Sequence, residues 1–126
     1  MTEKKVTIGL VSHDGRKTAM VAWVNHNREG LRRFNLVGTN GTAKAINKVV
    51  RLEVKTLGHG PFGGDIRIAN SILDKNIDAL VFFVDTSEPH GHEHDIQTLI
   101  RTCITCKVPF ALNVVTADYI LRCLLE

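Results

Sequence analysis

The run Ala79-Leu80-Val81-Phe82-Phe83-Val84 constrains the fold more than any other stretch of the chain. It is apolar throughout, which suits a central strand covered on both sides and not a strand with one wet face. The segments around it alternate between two periods. Lys5–Val11 predicts a short apolar strand, and Ala19, Met20, Trp23 and Val24 recur at helical spacing. Asn35–Val37 predicts a brief strand, and Ala43–Val49 a short helix. Leu52, Val54 and Thr56 alternate with charged residues, as an edge strand would. Ile66, Ala69, Ile72 and Leu73 share one face of a helix predicted over Asp65–Lys75. After the apolar run, Asp95–Cys106 predicts an amphipathic helix and Phe110–Val115 a second buried strand. Ala117, Ile120, Leu121, Leu124 and Leu125 predict a last helix.

Strand and helix in turn, five times over, specify an α/β fold: a doubly wound, Rossmann-like, five-stranded parallel sheet with helices on both faces. The length of 126 residues predicts a single domain spanning 1–126. A hydrophobic content of 44% provides a real core, yet no apolar run approaches a membrane span. The charged start Met1-Thr2-Glu3-Lys4-Lys5 lacks the shape of a signal peptide, so the reading is cytoplasmic.

Ligands of such sheets bind beyond the carboxyl ends of the strands, so the strand-to-helix connections carry the functional information. All five are chemically loaded. They are Ser12 to Lys17, Gly38 to Thr42, Gly58 to Asp65, Asp85 to Asp95, and Asn113 to Asp118. Of the six histidines only His26 falls outside them. The opposite connections carry charge but no histidine and no glycine cluster, so the site is expected on one sheet edge.

Gly60-Pro61-Phe62-Gly63-Gly64-Asp65 reads as a shaped loop that lets a ligand approach the backbone and aims one carboxylate at it. Asp65 fits a general base there, or simply the first-turn acid of its helix. Thr39-Asn40-Gly41-Thr42 leads into a helix. It suits a phosphate, through free N–H groups and the helix dipole, or an ordinary helix cap. His13-Asp14 with Lys17 reads as a cation pair facing an anion, or as a solvated turn.

His90, His92 and His94 alternate before Asp95. A metal site is the minority reading, because alternate residues in a loop need not converge. One histidine oriented by a neighbouring carboxylate for proton transfer is favoured. Cys103 and Cys106 lie within an apolar-periodic helix, which makes them core residues before redox or zinc ligands. No metal or cofactor is expected. The net charge of +3 is mild, and no aromatic residues interleave a basic stripe, so nucleic acid is not an expected partner.

The loaded connections come in a characteristic order. Ser12-His13-Asp14 with Lys17 is followed by Thr39 to Thr42, then Gly60-Pro61 with Gly63-Gly64-Asp65. Phe82-Phe83 with Asp85, Pro89, His92 and Asp95 come next, and Asn113 with Thr116-Ala117-Asp118 closes the set. In that order and spacing the chain resembles the methylglyoxal synthase family. That resemblance implies a lyase converting dihydroxyacetone phosphate to methylglyoxal and inorganic phosphate, without a cofactor. It implies that Asp65 is the acid/base, that His92 acts at the substrate carbonyl oxygen, and that Asp85 and Asp95 are acidic residues of the same site. It places His13, Lys17, Thr39, Asn40, Gly41, Thr42, His59 and Gly60 at substrate- and phosphate-binding positions. It further implies a homohexamer inhibited by phosphate.

Three departures stand out. The threonine loop is T-N-G-T where the family usually has T-G-T-T, and His59 replaces the usual serine before Gly60-Pro61. The family's C-terminal extension, with an arginine that reaches the phosphate region, has no counterpart in this sequence. The competing reading is a non-catalytic effector-binding domain of the same fold, like the regulatory domain of carbamoyl-phosphate synthetase. Asp65, Asp85, His92 and Asp95 together favour the lyase.

Overall fold

A computed structural model of the chain describes residues 5–57, 64–87 and 93–126. Its centre is one parallel sheet of five strands in the order β3-β2-β1-β4-β5. The strands are β1 (Thr7–Ser12), β2 (Asn35–Gly38), β3 (Val54–Thr56), β4 (Ala79–Phe83) and β5 (Phe110–Ala111). β1 and β4 lie side by side with Ile8 opposite Ala79 and Ser12 opposite Phe83. Every residue of both strands is buried, as the continuous apolar run of β4 predicts.

Side chains alternate between two cores because the strand period is two. Val81 and Phe83 point to one face, with Ile8 and Leu10. There they meet Met20, Trp23 and Val24 of α1 (Lys17–His26), Ile46 of α3 (Asn40–Val49) and Leu121 of α6 (Val114–Leu125). Leu80 and Phe82 point to the other face, with Val11. There they meet Ile68 and Ile72 of α4 (Gly64–Leu73), and Leu99 and Cys103 of α5 (Glu93–Cys106). Helices therefore cover both faces. Trp23 also donates its indole N–H to Asp118 at 2.8 Å, tying α1 to α6, and its ring meets Phe83 edge-on.

Most element ends shift by a few residues from the sequence expectation, and the end of the sheet shifts most. The last strand ends at Ala111 and not at Val115. Asn113 caps α6, its side chain accepting the backbone N–H of Thr116 at 3.1 Å, so the helix starts at Val114. Val114 and Val115 consequently lie exposed on its first turn and are not buried in the sheet. A four-residue helix α2 (Arg28–Leu31) also interrupts the basic connection after α1, burying Leu31.

Candidate active site

The strand order reverses between β1 and β4, since β2 and β3 extend to one side and β5 to the other. Two connections leave the carboxyl edge at that crevice and bind each other. The backbone N–H of His13 donates to the Phe83 carbonyl at 3.2 Å. The N–H of Asp85 donates to Nδ1 of His13 at 2.9 Å. An imidazolium has no lone pair to accept that bond. In this arrangement His13 accepts through Nδ1, which leaves its ring proton on Nε2. The ring stands edge-on to Phe82, centroids 5.2 Å apart, which fixes its plane.

A second network joins β1 to the first turn of α3. The Thr42 hydroxyl accepts the backbone N–H of Ser12 at 3.1 Å and the hydroxyl of Thr39 at 3.0 Å. With both lone pairs used, its own proton is directed at the Ser12 hydroxyl, 3.2 Å away. Thr42 is almost fully buried. Its hydroxyl is a latch and not a free ligand donor. Thr39 occupies the N-cap position of α3, yet its side chain makes no capping bond, having turned to Thr42 instead. The N-terminal N–H groups of α3 therefore receive no side-chain cap from Thr39, which suits an anion better than the ordinary-cap reading does.

Lys17 approaches the same turn. Its ammonium is paired with Asp14, and a Cβ built on Gly41 would lie 3.2 Å from Lys17 Cε and 3.4 Å from Nζ. Lys17, Thr39, Asn40, Gly41 and Thr42 thus share one corner, with Asn40 and Gly41 exposed on the helix start. The positive helix end and the ammonium act in the same direction on an anion placed there.

Asp85 stands at the end of β4. Its Oδ1 accepts the Ser87 backbone N–H at 3.0 Å and the Ser87 hydroxyl at 2.6 Å. Those two bonds hold its carboxyl below the usual carboxylate range, with a smaller contribution from the Arg16 charge. Asp85 is a settled carboxylate at neutral pH, suited to orienting partners and shaping the field.

The structure brings His13, Lys17, Thr39, Asn40, Gly41, Thr42 and Asp85 together on one edge. Asp65 and Asp95 fall in the first turns of α4 and α5, and their side chains lie outside the described residues. His59, Gly60, His90 and His92 lie outside them as well. The fifth connection is structural: Asn113 caps α6 and Asp118 holds Trp23. Burial pushes the Cys103 thiol up to about 11, as the core reading of that residue requires.

Ser12, Gly15 and Ser87 belong to this corner without standing out in the sequence as site residues. Ser87 carries a local signal, since Asp-x-Ser is the spacing of an Asx turn. The partners of Ser12 and Gly15 are 30 and 70 positions away, and no local pattern exposes them.

A doubly wound sheet with this corner beside its strand-order reversal is an α/β domain whose carboxyl edge suits a small anionic ligand. Residues 19–112 match the family of MGS-like domains. The chain is 37% identical to methylglyoxal synthase of Coxiella burnetii over 121 residues, covering 96% of this chain and 83% of that one. It is 38% identical to methylglyoxal synthase of Clostridium acetobutylicum over 122 residues, covering 97% and 83%. The crystal structure of methylglyoxal synthase from Elizabethkingia anophelis superposes with a TM-score of 0.87 at 38% identity, covering 93% of this chain and 77% of that one. The chain belongs to the methylglyoxal synthase family.

Proposed function

We propose that this protein is a methylglyoxal synthase, a lyase that converts dihydroxyacetone phosphate to methylglyoxal and inorganic phosphate. The observation that carries the reading is the convergence of the Lys17 ammonium and the open first turn of α3 beside His13 and Asp85 at the crevice. That corner suits a phosphate at one end and a polar oxygen at the other. Asp65 takes a proton from the hydroxyl-bearing carbon of the substrate, and the C–H electron pair moves toward the carbonyl to give an enediolate. His92 stabilises the negative oxygen, with His13 among the substrate-binding residues beside it. The enediolate oxygen then takes up a proton and the neighbouring hydroxyl gives one up. The pair from that O–H bond becomes the aldehyde C=O, the enediol double bond shifts one carbon along, and the C–O bond to phosphate breaks, leaving the enol of methylglyoxal. A proton added to the methylene carbon, with loss of the enol O–H proton, yields methylglyoxal. Asp85 and Asp95 shape the field around Asp65 and His92. Lys17 and the α3 N–H groups hold the departing phosphate, with Thr39, Asn40, Gly41 and Thr42 forming the turn and His59 and Gly60 completing the cradle.

The reading extends to a cytoplasmic homohexamer inhibited by phosphate. Exposed apolar residues on α4 (Ile66, Leu73) and α6 (Val115, Tyr119) supply surface for self-association, and no helix among the described residues is long and apolar enough to cross a membrane. The test is to incubate the purified protein with dihydroxyacetone phosphate and quantify both products. Equal amounts of methylglyoxal and phosphate are expected. Tight phosphate binding without turnover would overturn the lyase and point to an effector-binding domain.

A further inference from the structure

Gly15 sits in the single 3-10 turn Asp14–Arg16 between β1 and α1. Its φ lies outside the left-handed region, so the backbone does not require glycine there. An alanine could adopt the backbone of such a turn without strain. The reason for glycine lies across the crevice. A Cβ on residue 15 would fall well inside van der Waals contact of Asp85 Oδ2, and 3.1 Å from its Cγ.

Asp85 cannot retreat without loss. Its backbone N–H is held by His13 Nδ1, and its Oδ1 is held twice by Ser87. The carboxylate is a rigid plane, so turning Oδ2 away from residue 15 takes Oδ1 off Ser87. We propose that Gly15 is a positioning residue for Asp85: the missing side chain is the space in which the carboxylate stands, locked on Ser87 and next to His13. The proposal rests on the lyase reading only for the catalytic consequence; the placement itself is independent of it.

The charged or titratable neighbours that face Asp85 among the described residues are Arg16 and His13. Gly15→Ala leaves both in place, so a changed Asp85 titration reports the lost Ser87 bonds. Carbon NMR of the Asp85 carboxyl through an acid titration is the direct test, run on wild type, Gly15→Ala and Ser87→Ala. Both variants should move the Asp85 midpoint up toward an ordinary carboxylate, Ser87→Ala with the Gly15 space intact. An Asp85 midpoint in Gly15→Ala identical to that of wild type would overturn the proposal.

A double-mutant cycle with Asp85→Asn gives the catalytic arm. Gly15→Ala should lower kcat about tenfold with little change in KM, and should cost nothing further in the Asp85→Asn background. The same loss in both backgrounds would mean general damage to the turn and would also overturn the proposal. Absence of turnover in wild type would defeat the lyase reading alone, and the titration would still decide on Gly15.

Discussion

Thr42→Val tests whether the anion corner is built on a buried hydroxyl latch. The substitution keeps the shape of the side chain and deletes the one oxygen that accepts from Ser12 N–H at 3.1 Å and from the Thr39 hydroxyl at 3.0 Å. Ser12 is 7% exposed and Thr42 1%, so water does not replace the lost acceptor. A buried N–H left without a partner costs about 1–3 kcal/mol. The Thr39 and Ser12 hydroxyls can rotate to other partners and add less. The expected loss is therefore about 2 kcal/mol, an order-of-magnitude figure set by the N–H alone. Urea unfolding followed by fluorescence of the single Trp23, which is buried, reads it directly. With a slope of about 1–3 kcal/mol per molar, the midpoint should fall by about 1 M. Thr42→Ser keeps the oxygen and loses one buried methyl, worth about 1 kcal/mol, so it should fall between wild type and valine. It should also bind phosphate as wild type does, because the hydroxyl is occupied inside the protein. A Thr42→Val protein within about 0.5 kcal/mol of wild type would refute the latch. So would a valine variant that keeps its stability but loses phosphate affinity, since the hydroxyl would then be a ligand donor.

Other outcomes follow from the same corner. Gly41→Thr should push Lys17 away from the α3 turn and weaken phosphate binding about fivefold, the equivalent of about 1 kcal/mol; unchanged affinity by calorimetry would contradict it. Ser87→Ala removes the main cause of the lowered Asp85 carboxyl. A carboxyl depressed by folding stabilises above its unfolded value of about 3.9 and stops doing so as pH falls through the folded value. The stability gap between wild type and Ser87→Ala should thus be constant around neutral pH and close in stronger acid. A gap that widens in acid would reverse the sign. If His59 holds phosphate as an imidazolium, His59→Ser should weaken phosphate inhibition more at low pH than at high, and equal weakening at both would remove it from the cradle.

Much of the architecture is legible in local sequence because local physics determines it. The apolar run of β4 needs two covered faces, and the structure supplies two helix layers. The end of β5 is less legible, because Val114 and Val115 read as strand while Asn113 reads as a cap. The cap prevails at the sheet edge, where a longer strand has a neighbour on one side only. α2 is too short to show a period. In the site, residue types and their common edge are visible from the connections. Protonation and occupancy are not. The placement of the His13 ring proton depends on a backbone N–H 72 residues away, and the occupied hydroxyl of Thr42 on a strand end 30 residues away. Both follow from the order of strands in the sheet, which brings distant connections together.

The proposed function turns on one step: Asp65 removes a proton from dihydroxyacetone phosphate, after which phosphate is released. The most direct measurement compares wild type with Asp65→Asn in methylglyoxal formation and in phosphate binding, on the same preparations. Turnover is expected in wild type, with a loss of about 10²–10⁴-fold in the variant and phosphate affinity that stays within a few-fold. Near-normal methylglyoxal formation by Asp65→Asn would contradict it.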